Sequence, residues 1–377
     1  MFPRLASLLV VSLLAAICIP SAAAQQALPN HLTKRVVADY GYWSKYQNPS
    51  YGAAQIPYNK LTHINHAGVG FDATGTLQVP AGPDNEFLEP ALISSAHTAG
   101  VKVMLLLGGD FPGLEVSGHV QTLVDNIYAF EQYYGYDGVD LDWEYPETAG
   151  DTAFLDQLCA LLRQSNPNYV LSIDAAPWGG SGYDLQSLQL SLSYVNIMMY
   201  DCAGPWTAHG QLNSAIFWDP RNPAPYECQP GGSDYGAANV FLQGMPAAQL
   251  NMGTPFYGYY YTNINQLFGF CPNAATSPDG ECDNTVGSEN YAQFKPLINQ
   301  KGWHTLYDQI SLVPYMLKVD EGDGYITYDD AFSTYLRVYY CDWDRGLGGT
   351  FMWSLDADYD GHSQDLMDAM YNASLKP

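Results

Sequence analysis

Four acids fall within one short run, Asp137-Gly-Val-Asp140-Leu-Asp142-Trp-Glu144-Tyr-Pro. Side chains alternate along an extended strand, so Asp140, Asp142 and Glu144 share one face while Leu141 and Trp143 point the other way. Three carboxyls on an inward face cannot all ionise cheaply. They share protons, and the pKa of the outermost acid is expected to rise. A carboxylic acid held protonated in this way can serve as a general acid. Asp137 has the opposite parity and reads as structural. Two plainer readings fail. A calcium loop starting at Asp140 needs Gly at its sixth position, where Tyr145 stands. A solvated edge strand would not interleave Val139, Leu141 and Trp143 with acids. A second acidic run, Asp356-Ala-Asp358-Tyr-Asp360-Gly361, also begins like a calcium loop, but its twelfth position is Met367, which cannot be the bidentate ligand. No CxxC or His–Cys cluster points to a metal, and no cofactor is implied.

The elements that must position these acids alternate in type. Apolar, β-branched runs at Val36–Tyr40, His63–Phe71, Val101–Leu107, Gly138–Trp143, Tyr169–Ala175, Tyr194–Tyr200, Leu250–Tyr257 and Gly349–Ser354 read as strands. Helical patterns lie between them at Glu89–Ala99, Val120–Tyr133 and Thr152–Gln164. Leu123, Ile127 and Phe130 fall at helical spacing in the second, and Asp151 or Thr152 can cap the third. Strand–helix alternation with near-continuous apolar strands predicts an α/β fold, a (β/α)8 TIM barrel. Pro146 then ends the acidic strand and leaves Glu144 at its C-terminal tip, the end where barrel active sites form. Residues 258–347 are far too many for a loop between the seventh and eighth strands. They contain a helical stretch near Tyr291–Gln300 and strand-like pieces near Ser311–Val319 and Gly324–Thr327, and read as a small α+β insertion on the rim.

Composition narrows the partner. Thirty-nine Asp and Glu against 14 Lys and Arg give a formal charge of −25, which repels phosphate backbones and anionic lipid. No nucleic-acid or membrane partner is expected. Abundant aromatics (30 Tyr, 14 Phe, 8 Trp) with few cations suit a flat neutral ligand such as a sugar. Residues 1–24 read as a secretory signal peptide: Arg4, an apolar run from Leu5 to Ile19, then Ala22-Ala23-Ala24. Residues 25–377 are then the catalytic barrel, secreted and extracellular. Cys18 leaves with the signal; Cys159, Cys202, Cys228, Cys271, Cys282 and Cys341 remain, an even set that suits disulfides in an oxidising compartment. Cys271–Cys282 and Cys202–Cys228 would each close a loop, but six cysteines allow 15 pairings, and Cys159 sits in a helical pattern as a possible buried thiol. Asn372-Ala-Ser374 is a glycosylation sequon in what reads as an exposed tail.

At Asp137, Asp140, Asp142 and Glu144 the sequence matches a DxxDxDxE signature and resembles the family 18 glycoside hydrolases, mostly chitinases among bacteria and fungi. The likeness extends to Met198-Met199-Tyr200-Asp201 on the sixth strand, Trp353 in Gly-Gly-Thr-Phe-Met-Trp-Ser on the eighth, Tyr40-Gly-Tyr42-Trp43 on the first, and Phe71 ending the second. The resemblance implies a retaining, substrate-assisted mechanism on chitin or N-acetylglucosamine oligosaccharides, by a monomer. Glu144 would be the acid and base, Asp142 would hold the acetamido N–H, Asp140 would set the proton balance of Asp142, and Tyr200 would orient the acetamido oxygen. Asp201 and Met198 would contact substrate, and Trp353 would form an apolar floor. Tyr257, Phe71, Trp43, Trp178 and Trp206 are candidates to stack on sugars at outer subsites. Two positions depart from the family pattern: Leu106 stands where a serine is usual on the third strand, and Tyr259 where an arginine commonly follows Tyr257-Gly258. Alternatives are an endo-β-N-acetylglucosaminidase acting on N-glycans, which shares the acidic signature, and a non-catalytic chitin-binding lectin, which the presence of Glu144 argues against.

Overall fold

A computed structural model describes residues 31–375, apart from 82–85, 180–181, 223–227, 229–232, 283–285, 299 and 319–323. The expected signal peptide lies outside the described residues. Eight parallel strands close into a barrel: β1 (Arg35–Gly41), β2 (His63–Phe71), β4 (Lys102–Leu107), β5 (Gly138–Asp142), β6 (Val170–Ala175), β7 (Tyr194–Ile197), β8 (Leu250–Pro255) and β14 (Gly349–Trp353), with β1 pairing both β2 and β14. The short β3 (Leu77–Gln78) adds antiparallel to the end of β2. Both faces of these strands are covered, which is why β1 and β6 are buried at every residue and why their sequences are nearly continuous in apolar side chains.

All eight strands lie where the sequence placed them, and three of the shifted ends bear on the site. The acidic strand stops at Asp142, and the Trp143 ring turns out to stack on Phe111 at 4.8 Å, nearly parallel. The sixth strand stops at Ile197, so Met198–Asp201 lie just beyond its tip. The seventh stops at Pro255, and Tyr257 opens a different sheet. The helix expected from Thr152 starts earlier, at Ala149. Thr148 caps it, accepting from Asp151 N at 3.1 Å while Asp151 accepts from Thr148 N at 2.8 Å. That reciprocal box satisfies two orphan donors, which a start at Thr152 would not do. The helix Val120–Tyr134 buries Leu123, Val124 and Ile127 and ends at Gly135 in the left-handed region (φ 85°).

Five antiparallel strands form the second sheet, in the order β10-β9-β13-β12-β11: β9 (Tyr257–Thr262), β10 (Val286–Asn290), β11 (Trp303–Asp308), β12 (Val313–Lys318) and β13 (Gly324–Thr327). The helix Ala331–Tyr339, inside the 258–347 span, packs on the C-terminal helix Asp365–Ser374 as a barrel helix. That C-terminal helix also contains the sequon: Asn372 is exposed, but Ser374 is buried with its hydroxyl on Met370 O at 3.0 Å, so the expected free tail is a packed helix end. Disulfides join Cys202–Cys228 and Cys271–Cys282, while Cys159 and Cys341 are buried thiols. No helix among the described residues is long and apolar enough to cross a membrane.

Arg337 ties this outer layer together. It is wholly buried and donates to Asp234, to Ser214 Oγ at 2.8 Å and to Asp329 Oδ1 at 3.2 Å. Arg337→Met fits the space but strands two buried carboxylates. Breaking a buried pair from one side costs about 3–5 kcal/mol. A urea midpoint equal to that of the parent would show that the two acids accept protons at no cost.

Candidate active site

Strand β5 carries Asp140 and Asp142 into the barrel, with Leu141 buried against the helices. Glu144 stands beyond the last strand residue, exposed on the C-terminal rim. Asp137, of opposite parity, is held outside the barrel by Lys102 Nζ (2.7 Å), His97 Nε2 (2.8 Å) and Val103 N (2.9 Å), a structural role.

Asp140 is fully buried and accepts from Asn65 Nδ2 (3.2 Å), Asn196 Nδ2 (3.4 Å) and the Ser172 hydroxyl. The strand register explains the Leu106 departure. Leu106 on β4 and Ser172 on β6 flank Asp140 from opposite sides, so the hydroxyl reaches it from β6. Burial pushes Asp140 up to about 6, against the lowering effect of hydrogen bonds from Ser172 and Asp174. Asp142 is pushed up to about 7, by burial first and then by the charges of Glu144 and Asp140. Its Oδ1 is buried and has no hydrogen-bond partner among the described residues.

Above these acids opens a cavity of about 340 Å³. Asp142, Glu144, Tyr145, Asp174, Met198, Tyr200, Asp201 and Trp353 line it from the barrel side, and Tyr257, Tyr259, Ser288 and Asn290 from the second sheet. Tyr200 and Tyr257 are buried edge to face, 5.9 Å between centroids. Asp201 takes a left-handed backbone (φ 56°), which Asp tolerates, and its N–H donates to Asn213 Oδ1 at 2.9 Å. The hydroxyls of Tyr257 and Tyr259 both donate to Asp201 Oδ1, the latter at 2.7 Å. Burial raises the Asp201 pKa and these two bonds oppose the rise. Tyr259, which replaces a usual arginine, therefore holds Asp201 with a neutral donor.

The structure brings together every predicted site residue except four aromatics. Phe71 is corrected: it is 3% exposed, packs edge to face on Phe111 at 4.8 Å, and sits where a Cβ on Gly109 would come within 2.5 Å of its ring. That places it in the core beneath the rim. Trp43 and Trp206 stand one ring outside the lining, Trp43 at 6.3 Å from Trp353 and Trp206 at 5.8 Å from Tyr259. Trp178 likewise backs Tyr145 at 4.9 Å. Sequence reasoning missed Tyr145, Asp174, Ser288 and Asn290 on the wall and Asp39 beneath it. Tyr145 adjoins Glu144, and burial followed by the Glu144 charge raises its pKa. At the second acidic run the ammonium of Lys295 donates to Asp360 and Ser363, each at 2.7 Å, and pairs with Asp365 at 2.8 Å, while Asp358 accepts from Met367 N at 2.8 Å.

A protonatable acid on an open rim, a buried acceptor below it and an aromatic floor can hydrolyse a bond whose leaving oxygen needs a proton. The sequence matches the family model described as Glycosyl hydrolases family 18 over residues 35–358. It is 26% identical over 351 residues to the Arabidopsis thaliana protein named Class V chitinase, covering 86% of this chain and 87% of that one. Chitinase B of Serratia marcescens is 26% identical over 390 residues, covering 84% and 77%. Among solved structures, the Ostrinia furnacalis Group IV chitinase in complex with allosamidin superposes with a TM-score of 0.76 at 21% identity, covering 90% of this chain and 98% of that one, a likeness of fold.

Proposed function

The chain belongs to family 18 of the glycosyl hydrolases, and from that premise we propose that it is a secreted chitinase that cleaves β-1,4 links between N-acetylglucosamine units with retention of configuration. The named relatives and the shared acidic signature support the substrate. The apolar stretch at 1–24 and the two disulfides support secretion.

The observation that carries the mechanism is the unpartnered, buried Oδ1 of Asp142 in the same cleft as Glu144 and Tyr200. An acceptor left bare in a desolvated place awaits a donor from the ligand. The acetamido N–H of the sugar is that donor. Glu144 gives its proton to the glycosidic oxygen as the bond to the anomeric carbon breaks. The acetamido carbonyl oxygen attacks that carbon, forming an oxazolinium ion whose charge Asp142 offsets. Tyr200 donates to the acetamido oxygen and orients it, Asp201 contacts the distorted ring, and Trp353 and Met198 give it an apolar floor. Water then attacks the anomeric carbon from the vacated face, its proton passing to Glu144.

Retention follows because each of the two displacements inverts the carbon. Proton NMR of a fresh chitohexaose digest is expected to show the β-anomer first, before mutarotation. A digest that begins as the α-anomer would exclude acetamido participation. Release of N-glycans from a glycoprotein with chitohexaose left intact would replace the substrate.

A further inference from the structure

The barrel interior holds two carboxyls that the acidic strand does not supply. Asp39 on β1 is fully buried, and Asp174 on β6 is 4% exposed at the edge of the cleft. In the β5–β6 register Asp174 stands level with Asp142, and Ser172 with Asp140. The available donors are divided unevenly. Asn65 donates to Asp39 at 2.8 Å and to Asp140 at 3.2 Å. Asn196 donates to Asp174 at 3.0 Å and to Asp140 at 3.4 Å. Ser172 donates to Asp140. None of these reaches Asp142. Asn196 thus bridges Asp140 and Asp174, and two buried carboxyls drawn to one amide cannot both ionise cheaply.

We propose that Asp174 is a positioning residue of the reaction: it shares a proton with Asp140, so that Asp142 need not, and its later ionisation extends turnover to higher pH. This rests on the reading of Glu144 and Asp142 given above. With Asp140 supplied from Asn65, Asn196 and Ser172, Asp142 is free to keep its acceptor turned to the cleft. When the shared proton leaves as the pH rises, a further negative charge appears level with Asp142. A like charge makes the remaining protons harder to remove, so the outer pair keeps its proton longer.

The titratable groups that face Asp174 are Asp39 from β1, Asp140 and Asp142 from β5, Tyr183 from the segment after β6, and Tyr194 and Tyr200 from β7 and its tip. Burial is the largest cause raising Asp174, followed by the charges of Asp140, Asp39 and Asp142. The Arg35 guanidinium reaches this cluster through neutral groups: it stacks on the Tyr194 ring at 4.8 Å and donates to Asn251 Oδ1 at 2.9 Å, whose own amide donates to Asn196 at 2.9 Å. No basic side chain is among those lining the cleft.

Asp174→Asn fills the same space and can still donate to Asp140, but it cannot lose a proton to become an anion. The alkaline limb of kcat/KM on chitohexaose is expected to move to lower pH by about half a unit or more, and Asp174→Glu is expected to restore it. An unshifted limb in Asp174→Asn, at whatever rate, would reduce Asp174 to packing and overturn the proposal. If that variant does not fold, Asp39→Asn is measured instead; Asn65 links Asp39 to the same Asp140, and an unshifted limb there counts equally against it. Failure of the underlying assignment looks different: the wild-type chain would leave chitohexaose intact, or would turn over unimpaired without the Glu144 carboxyl.

Discussion

Glu144→Gln is expected to lower kcat on chitin oligosaccharides by about 100-fold or more while leaving binding nearly unchanged. Glu144 is exposed on the rim beyond β5, so the substitution disturbs no core packing. The amide occupies the carboxyl's volume and cannot deliver a proton to the leaving oxygen or take one from water. Both halves of the cycle lose their proton carrier. Recognition stays, because Asp142, Tyr200, Tyr257 and Trp353 line the cleft independently of Glu144. Turnover on chitohexaose and a calorimetric Kd for the same oligosaccharide separate the two quantities. Turnover close to that of the parent would remove Glu144 from the role of acid.

The second large effect lies in the substrate. Fully deacetylated chitosan and cellulose are expected to be essentially inert, and partly acetylated chitosan to be cut only where an N-acetyl unit occupies the site beside Glu144. The acetamido oxygen is the nucleophile, and its attachment to the reacting ring gives it an effective molarity on the order of 10⁵ M or more. Cellulose offers a hydroxyl at that carbon, which can form no stabilised ring cation. Deacetylated chitosan offers an amine, which when protonated sets a positive charge beside the developing one and brings no carbonyl oxygen to attack the anomeric carbon. Reducing-end release from each polymer, and sequencing of the sugars at newly formed reducing ends, provide the measurement. Efficient cleavage of either inert polymer, or new reducing ends that carry free amines, would mean that another group attacks the anomeric carbon.

The acidic strand and all eight barrel strands were legible because each rests on a short periodic pattern. Asp140 and Asp142 alternate with Leu141, and the buried strands are runs of β-branched and aliphatic side chains. The remaining acids had a weaker signal. Asp39 in Val-Val-Ala-Asp-Tyr and Asp174 in Leu-Ser-Ile-Asp-Ala are single acids inside otherwise apolar strands, and such an acid must find partners indoors. That signal was available, but which strands lie side by side, and hence which amides would meet them, depends on barrel register. The wall residues Ser288 and Asn290 were harder still. Their strand, Val-Gly-Ser-Glu-Asn, has no apolar alternation and is a strand only because β9 pairs with it. Phe71 was misplaced for a related reason: its position at a strand end suggested the rim, but the bare backbone of Gly109 admits the ring to the core.

Folding of this chain is linked to proton uptake. Burial lifts Asp140 to about 6, Asp142 and Asp358 to about 7, and Glu131 and Asp342 to about 8. In the unfolded chain the same groups titrate near 4. A group whose folded value is raised contributes stability that is fully present below its unfolded value and is lost as the pH climbs through the folded one. Between about pH 4 and pH 8 each of these side chains therefore binds protons on folding and opposes folding increasingly as they are withdrawn. The surplus of acids, a formal −25, works in the same direction through self-repulsion. Two of these acids, Asp140 and Asp142, stand inside the barrel, so alkali weakens the fold in part through the same groups that carry the site's proton chemistry.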